Sequence, residues 1–376
     1  MHSFWENDSY FAPVDIIIIG GGLMGLWTAL ELKKTAPSLS ITILERNSIP
    51  TGASTRNAGF ACFGSLTELL ADESEMGSNS MLQLVEQRFK GIEKIKSYLS
   101  PTCIDYDACG GYEAILNSHT AAPNLVDHIQ RFNQLLQPIT GSPASFSLIT
   151  QPLHTWGLSN FDYLVHNPLE AGIHSGKLVT ELTKIAVQNG VRFLFGIEVT
   201  KLEDDSMVTI HTKLNGLLKA KHIIGCTNGF TQALFPTLNV VPARGQIVMT
   251  KPIDGLLAKG TFHFDEGFYY WRNIGNRILL GGARNTNMIA EQTTNLNGSD
   301  EIRNALLYFL QTHFITNTPI EIEQSWSGIM GFTKNKKPLC EQTSEHITAA
   351  IACNGIGVAL TPIMAETVAK NTLQTI

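Results

Sequence analysis

Three features of the 376-residue sequence predict an α/β fold, in which a Rossmann-type nucleotide-binding domain, discontinuous in sequence, is combined with a second α+β domain built on an antiparallel sheet. A β-branched run near the N-terminus ends in G-x-G-x-x-G and opens a helix. A second glycine turn opens another helix at residues 355–362. Between residues 246 and 282 lie short strand-like runs, two of them joined by a tight turn.

Residues 15–20, Asp-Ile-Ile-Ile-Ile-Gly, have the unbroken β-branched character of a strand buried on both faces of a parallel sheet. Gly20-Gly21-Gly22-Leu23-Met24-Gly25 follows, and Leu23, Trp27 and Leu30 then share one face of a helix that ends before Pro37. Gly20 permits the tight turn, Gly22 lets the backbone approach a pyrophosphate, and Gly25 lets helix and strand pack closely. The helix start, at Leu23 and Met24, faces the phosphate charge. A second strand, residues 40–45, ends in Glu45, 20 residues beyond Gly25, the spacing of a carboxylate that grips a ribose hydroxyl pair. With Arg46 beside Glu45, these residues make a dinucleotide site.

Residues 52–59, Gly-Ala-Ser-Thr-Arg-Asn-Ala-Gly, leave the second strand close to that pyrophosphate. The Ser54 and Thr55 hydroxyls and the backbone through Arg56 and Asn57 are expected to contact the cofactor, while Ala58 and Gly59 leave room for an isoalloxazine ring. The other reading of the same residues is a plain surface loop.

These segments, together with residues 191–201, Gly225-Cys-Thr-Asn-Gly229, residues 326–333 and Gly355-Ile-Gly-Val-Ala-Leu-Thr-Pro362, resemble the D-amino-acid oxidase-like superfamily of FAD-dependent oxidoreductases, which includes glycine oxidase, sarcosine oxidase and glutamylputrescine oxidase relatives. The resemblance spans nearly the whole chain and implies FAD as the cofactor. It implies that Val199 bonds the adenine through its backbone, and that Thr227, Asn228 and Gly229 line the cofactor cleft, with Gly328 nearby. Gly355, Ile356 and Gly357 form a turn ahead of Val358 and Ala359. A helix starting there presents a positive dipole end to the negative charge of reduced flavin near N1 and the C2 carbonyl.

Two departures from the family pattern bear on the substrate. Many relatives place a carboxylate-binding arginine two residues after the Gly328 position and a histidine at the Ile356 position, whereas this chain has Met330 and Ile356. The branch that tethers flavin covalently uses a cysteine near the Met330 position, and none occurs there, so FAD is expected to be non-covalent.

If both glycine turns touch one FAD, residues 1–75, 165–240 and 325–376 form the FAD-binding domain, and residues 76–164 and 241–324 form the substrate domain. A helix at 177–189 and a strand at 191–201 make the middle part of the first. The second carries strands at 246–250, 267–272 and 277–282, with a turn at 273–276, and helices around 86–99 and 300–312.

Amine oxidation in the resembled family is hydride transfer to flavin N5, which needs substrate orientation more than acid-base machinery. In place of the missing arginine, Arg284 at a strand end is the first candidate to bind a substrate carboxylate, ahead of Arg272 and Arg244. Phe268, Tyr269, Tyr270 and Trp271 alternate in direction, so Tyr269 and Trp271 share one face and Phe268 and Tyr270 the other. Either pair can wall the substrate pocket, with Met330, while the other packs in the core. Tyr269 is the candidate assigned with Arg284 to the reaction. His263 and His313 read as satisfied or exposed histidines.

The function expected is therefore FAD-dependent oxidation of a small amine or amino acid, with oxygen or an electron carrier as acceptor. Two alternatives stand beside it: a FAD-dependent 2-hydroxy-acid dehydrogenase, and a non-catalytic flavin-binding accessory protein. The formal charge of -6 argues against a nucleic-acid partner. Six cysteines without C-x-x-C or Cys/His spacing point to no metal and to reduced thiols in the cytoplasm. Neither a signal-peptide layout nor a membrane-length apolar run is seen.

Overall fold

The isoleucine run near the N-terminus forms the strand Val14–Ile19, which has neighbours on both edges. The computed structural model describes residues 2–214, 216–334, 336–351 and 353–376. Val14–Ile19 runs parallel to Ile41–Glu45 on one side and to Leu217–Gly225 on the other. Arg192–Phe195 extends the parallel sheet beyond Ile41–Glu45. Leu217–Gly225 takes two partners along its other edge. Its beginning pairs antiparallel with Val208–Thr212, and Ile223, Ile224 and Gly225 pair parallel with Ile347–Ile351.

The helix Leu23–Thr35 is buried at every position from Leu23 to Lys33. It packs against the helices Ser175–Gln188 and Gly357–Thr375 as well as the sheet. The single apolar face anticipated from Leu23, Trp27 and Leu30 is thus replaced by burial all round, as expected for a helix enclosed by other elements. A core of Ile17, Ile19, Val208, Ile210, Ile223 and Ala349 lies within the same unit. That unit comprises Met1–Thr55, Ser175–Ala243 and Ile329–Ile376.

The second unit comprises Arg56–His174 and Arg244–Gly328. Its sheet runs in the order Ile322–Phe332, Val241–Thr250, Arg277–Gly282, Tyr269–Ile274, Thr261–Phe264, Gly111–Ile115, Tyr163–Asn167 and Ser147–Leu148. From Val241–Thr250 onward the pairings are antiparallel apart from Thr261–Phe264 with Gly111–Ile115, which is parallel. The helix Asp300–His313 starts at Ser299, whose hydroxyl accepts from the Ile302 amide at 3.1 Å. Its Leu306, Phe309 and Leu310 join Phe262, Trp271 and Leu280 in the core of this unit. Phe262 and Trp271 stack with centroids 5.1 Å apart, and burying each ring contributes about 1.5–3 kcal/mol.

Several sequence boundaries move. Residues 56–75, 165–174 and 325–328 fall in the second unit, and 241–243 in the first. The shift has a local cause: Phe60–Ala61 pairs with Ala171–Gly172, and the helix Leu66–Met76 packs on Ser78–Tyr98. The strand expected at 191–201 is two strands, Arg192–Phe195 and Val199–Asp204, because Gly196 turns at φ +74 and the chain leaves the parallel sheet there. The strand expected at 267–272 is Tyr269–Ile274, since Asp265, Glu266 and Gly267 all have positive φ and make the turn before it. The helix expected at 86–99 starts earlier, at Ser78.

Candidate active site

In the first unit, Val14–Ile19 ends on Gly20, whose φ of +115 only glycine adopts freely. The Gly20 amide donates to the Leu44 carbonyl at 2.8 Å, and the Cys226 amide donates to the Ile19 carbonyl at 2.8 Å. A β-carbon at Gly20 would stand 2.5 Å from the Cys226 carbonyl oxygen, and one at Gly25 would overlap the Gly20 carbonyl. At Gly22 it would come 2.7 Å from Ser54 Oγ. Gly20 and Gly25 are therefore required by the closeness of strand and helix backbone, whereas at Gly22 the neighbour is a side chain that can turn aside.

Glu45 is buried at the end of Ile41–Glu45. Its Oε2 accepts from the Gly21 amide at 3.2 Å and its Oε1 from the Asn47 amide at 3.1 Å, so the carboxylate is aimed at the glycine turn. Arg46 places its guanidinium 3.8 Å from the centre of the Phe230 ring. Gly22 caps the helix Leu23–Thr35 without any side-chain bond, and no acid lies in the first turn. The Leu23 amide donates to Ser54 Oγ at 2.9 Å.

The helix Gly357–Thr375 repeats the pattern. Its cap, Ile356, offers no side-chain bond, and its first turn holds no acid. Gly355 has φ +90, and the Ile356 amide donates to the Cys353 carbonyl at 3.1 Å. Val358 and Ala359 are buried. The two helices follow strands that lie on either side of Leu217–Gly225 in one parallel sheet, so both positive helix ends stand at its carboxyl edge. Next to these turns, burial pushes the Cys226 thiol far up, with the Cys353 and Cys340 thiols adding to it, and pushes Cys353 up to about 12. The surroundings of the two helix starts thus stay free of thiolate charge.

Between them, Thr227 leads into the 3-10 turn Asn228–Ala233. The Asn228 side chain clamps the end of Ile322–Phe332, donating to the Ile329 carbonyl at 3.3 Å and accepting from the Gly331 amide at 3.0 Å. A β-carbon at Gly229 would come 2.8 Å from the Met330 carbonyl oxygen. Val199 begins a strand of the antiparallel meander, paired with Thr212, and packs partly buried on the core.

The loop after Glu45 divides between the units. Thr55 donates its hydroxyl to the Pro50 carbonyl at 2.7 Å, which holds its own loop closed. Arg56 donates to the Ser327 carbonyl at 2.8 Å, and its own carbonyl accepts from Trp326 Nε1 at 3.1 Å, which ties it to the strand that contains Gly328. Asn57 Oδ1 accepts from the Gly59 amide at 2.9 Å. Ala58 packs with Ile247 and Leu279. The missing side chain at Gly59, φ +74, makes room for the Ile173 carbonyl.

In the second unit, the strand Tyr269–Ile274 sorts its aromatics by face. Trp271 is fully buried, and Tyr269 stacks on Phe309 at 4.7 Å, so both point into the core beneath Asp300–His313. Those two pack in the core, and Tyr270 lies on the opposite face. Tyr270 lies edge-on to Phe60, with ring centroids 6.1 Å apart. Burial raises its hydroxyl to about 12, while Arg284 pulls the other way. Arg284 follows Ala283, held at φ +57, and burial lowers its pKa, opposed by Tyr270 and Glu291. Phe268 ends the turn before the strand, its carbonyl accepting from the Ala283 amide at 2.9 Å.

The other arginines are committed elsewhere. Arg272 donates to the Gly59 and Ile173 carbonyls at 2.6 and 2.9 Å, and Arg244 makes a forked pair with Glu291 at 2.7 and 2.8 Å. Both hold backbone or loop in place. Met330 is half-buried in the first unit. Phe60, which meets His263 and Tyr270 edge-on, was overlooked in the sequence; the signal was an aromatic directly after the Gly59 turn.

The family profile described as "DAO: FAD dependent oxidoreductase" matches residues 15–371. A probable oxidoreductase, OrdL, of Haemophilus influenzae is 23% identical over 97% of this chain and 85% of its own. Among solved structures, glycine oxidase from Geobacillus kaustophilus superposes with a TM-score of 0.77 at 20% identity, covering 96% of this chain and 95% of that one. L-proline dehydrogenase from P. horikoshii gives 0.75 at 18% identity, covering 96% and 94%. An acid aimed at the glycine turn and two helix starts whose cap residues make no side-chain bond suit an adenine–flavin dinucleotide, and with the profile running almost end to end this chain belongs to the DAO family of FAD-dependent oxidoreductases.

Proposed function

We propose that this enzyme oxidises a small amine or amino acid at the carbon bearing nitrogen, using FAD held without a covalent bond. When bound, FAD supplies the acceptor for the hydride at its N5 position. The amides at the start of Leu23–Thr35 and the Glu45 carboxylate hold its pyrophosphate and ribose, and the start of Gly357–Thr375 stabilises negative charge on the reduced ring. The Arg284 guanidinium and the Tyr270 hydroxyl hold the polar end of the substrate, orienting the carbon that is oxidised.

The feature that carries this reading is that the Tyr270 hydroxyl and the partly buried Arg284 guanidinium lie near enough to influence each other's protonation, a combination suited to a carboxylate. The amino acids named in two of the similar structures, glycine and L-proline, support it. A 2-hydroxy acid would need a base for its hydroxyl proton. His263, on the Tyr270 side of the sheet, is 5% exposed and bonded to Glu170, so nothing favours that reading. All six cysteines are free thiols, which supports a reducing cytoplasm. No helix among the described residues is long and apolar enough to cross a membrane.

The test is anaerobic bleaching of the flavin by a panel of amines, D- and L-amino acids and 2-hydroxy acids. Bleaching by an amine or amino acid is expected; bleaching by hydroxy acids alone overturns the proposal. Peroxide and dye readouts then separate oxygen from a carrier as acceptor. Denaturation is expected to release the yellow colour into the supernatant.

A further inference from the structure

The second unit also holds a buried group of donors that the proposed reaction does not use. Cys62 follows the strand Phe60–Ala61, and Glu170 precedes Ala171–Gly172. The antiparallel register Phe60 to Gly172 and Ala61 to Ala171 carries on to set Cys62 opposite Glu170. His263 lies in Thr261–Phe264, fixed by its pairings with Tyr270 on one side and Glu113 on the other. The sulfur of Cys62, a carboxylate oxygen of Glu170 and a ring nitrogen of His263 all lie within 4.8 Å of one another. The three residues are 7%, 2% and 5% exposed.

We propose that Cys62, Glu170 and His263 bind a divalent transition metal ion, zinc by preference. Thiolate, imidazole and carboxylate together form the borderline-soft donor set that favours zinc over magnesium or calcium. A thiolate and a carboxylate neutralise the two charges of the ion, so the buried site carries no net charge once the thiol proton has left to solvent.

The surroundings favour a cation. Glu113 is buried and accepts from the Ser65 hydroxyl at 2.9 Å, from the Thr67 amide at 3.0 Å and from the Thr67 hydroxyl. Glu68 and Asp72 share the Arg88 guanidinium at 3.6 and 3.7 Å. Without a metal, the cluster's own contact is His263 Nε2 to Glu170 Oε2 at 3.3 Å, which is long for a charge-assisted bond of about 2.7–2.9 Å and leaves the thiol out. Zinc bonds of about 2.0–2.3 Å would bring the donors to roughly 3.5 Å apart. The other Glu170 oxygen accepts from the Phe63 amide at 3.3 Å, as an outer-shell partner that orients the ligand. A water would complete the four ligands that zinc takes. Three distant segments supply the donors, which is why no spacing in the sequence announces them.

The experiment uses the full chain with its FAD, free of any histidine tag. Elemental analysis after dialysis is expected to find about one zinc per chain, and at least a roughly tenfold lower content in Cys62→Ser and His263→Gln, with flavin absorbance retained. Dipicolinate is expected to lower the melting temperature of the wild type, and zinc but not magnesium to restore it. Wild-type metal content no higher than that of the variants, or a melt unmoved by chelator and zinc, overturns the proposal. The chelator test on the wild type decides the matter if either variant fails to fold.

Discussion

The ring of Tyr270 lies across the bare α-carbon of Gly281, so that a β-carbon there would stand 2.6 Å from Tyr270 Cζ and 2.7 Å from its hydroxyl oxygen. The two residues face each other across adjacent antiparallel strands. Glycine at 281 is thus what allows a large phenol to lie flat against the sheet with its hydroxyl available.

Tyr270→Phe removes the hydroxyl and leaves the ring. It is expected to lower kcat/KM for the best substrate by roughly tenfold to a hundredfold, the range of one lost polar contact of about 1.4–3 kcal/mol. FAD content and melting temperature should stay at the wild-type level. Gly281→Ala should give a similar kinetic loss by displacing the ring. Unchanged kinetics in both variants would remove Tyr270 from the site.

Arg284→Ala is expected to raise KM for substrates with a carboxylate by at least roughly tenfold, and to change KM little for amines without one. Steady-state assays on matched pairs, an amino acid and its decarboxylated amine, give the comparison. An equal effect on both members would show that Arg284 acts on something other than the carboxylate.

Gly22→Ala places its methyl against Ser54 Oγ, a contact that can give way. This variant should fold with weakened FAD affinity, by roughly tenfold or more, measured by flavin fluorescence titration. Gly25→Ala meets the Gly20 carbonyl instead, where only backbone can move. It should lose soluble expression or melt far below the wild type.

His222 sets a pH limit on stability. It is fully buried, its Nε2 3.0 Å from Thr348 Oγ1 and its Nδ1 without a partner. Burial lowers its pKa from 6.5 to about 4, His346 adds to that, and Asp204 opposes it. Below pH 6.5 the unfolded chain binds a proton that the folded chain refuses. Stability is therefore full above 6.5, falls as pH drops from 6.5 to 4, and levels off below, a loss of roughly 3 kcal/mol at most. Urea unfolding across this window should show the decline, and His222→Gln, which keeps a bond to Thr348, should flatten it. An identical slope in the variant would assign the decline to other groups.

The parts of the fold visible in the sequence are those with local causes. A β-branched run, three glycines and an acid at fixed spacing are enough to place Val14–Ile19, Leu23–Thr35 and Ile41–Glu45, since turn and helix start follow from residues next to one another. Long-range choices were less visible. Alternation along residues 268–271 separated two faces, but only the docking of Asp300–His313 decides that Trp271 goes to the core and Tyr270 does not. Arg272 read as a free guanidinium because the carbonyls that engage it, at Gly59 and Ile173, lie far away in sequence. Gly196 stood within an apparently continuous strand, and its positive φ was the sign of a break.

The divided edge of Leu217–Gly225 imposes an order on biosynthesis. Val208–Thr212 precedes it and can fold back as soon as the pair leaves the ribosome, whereas Ile347–Ile351 is translated more than a hundred residues later. Until it arrives, Ile223, Ile224 and Gly225 offer open amides and carbonyls beside an apolar surface, a template for pairing with another nascent chain. Completion of the nucleotide-binding unit waits on a late segment, and co-expressed chaperones or slower translation ahead of Ile347 are the means most suited to raising the yield of soluble protein.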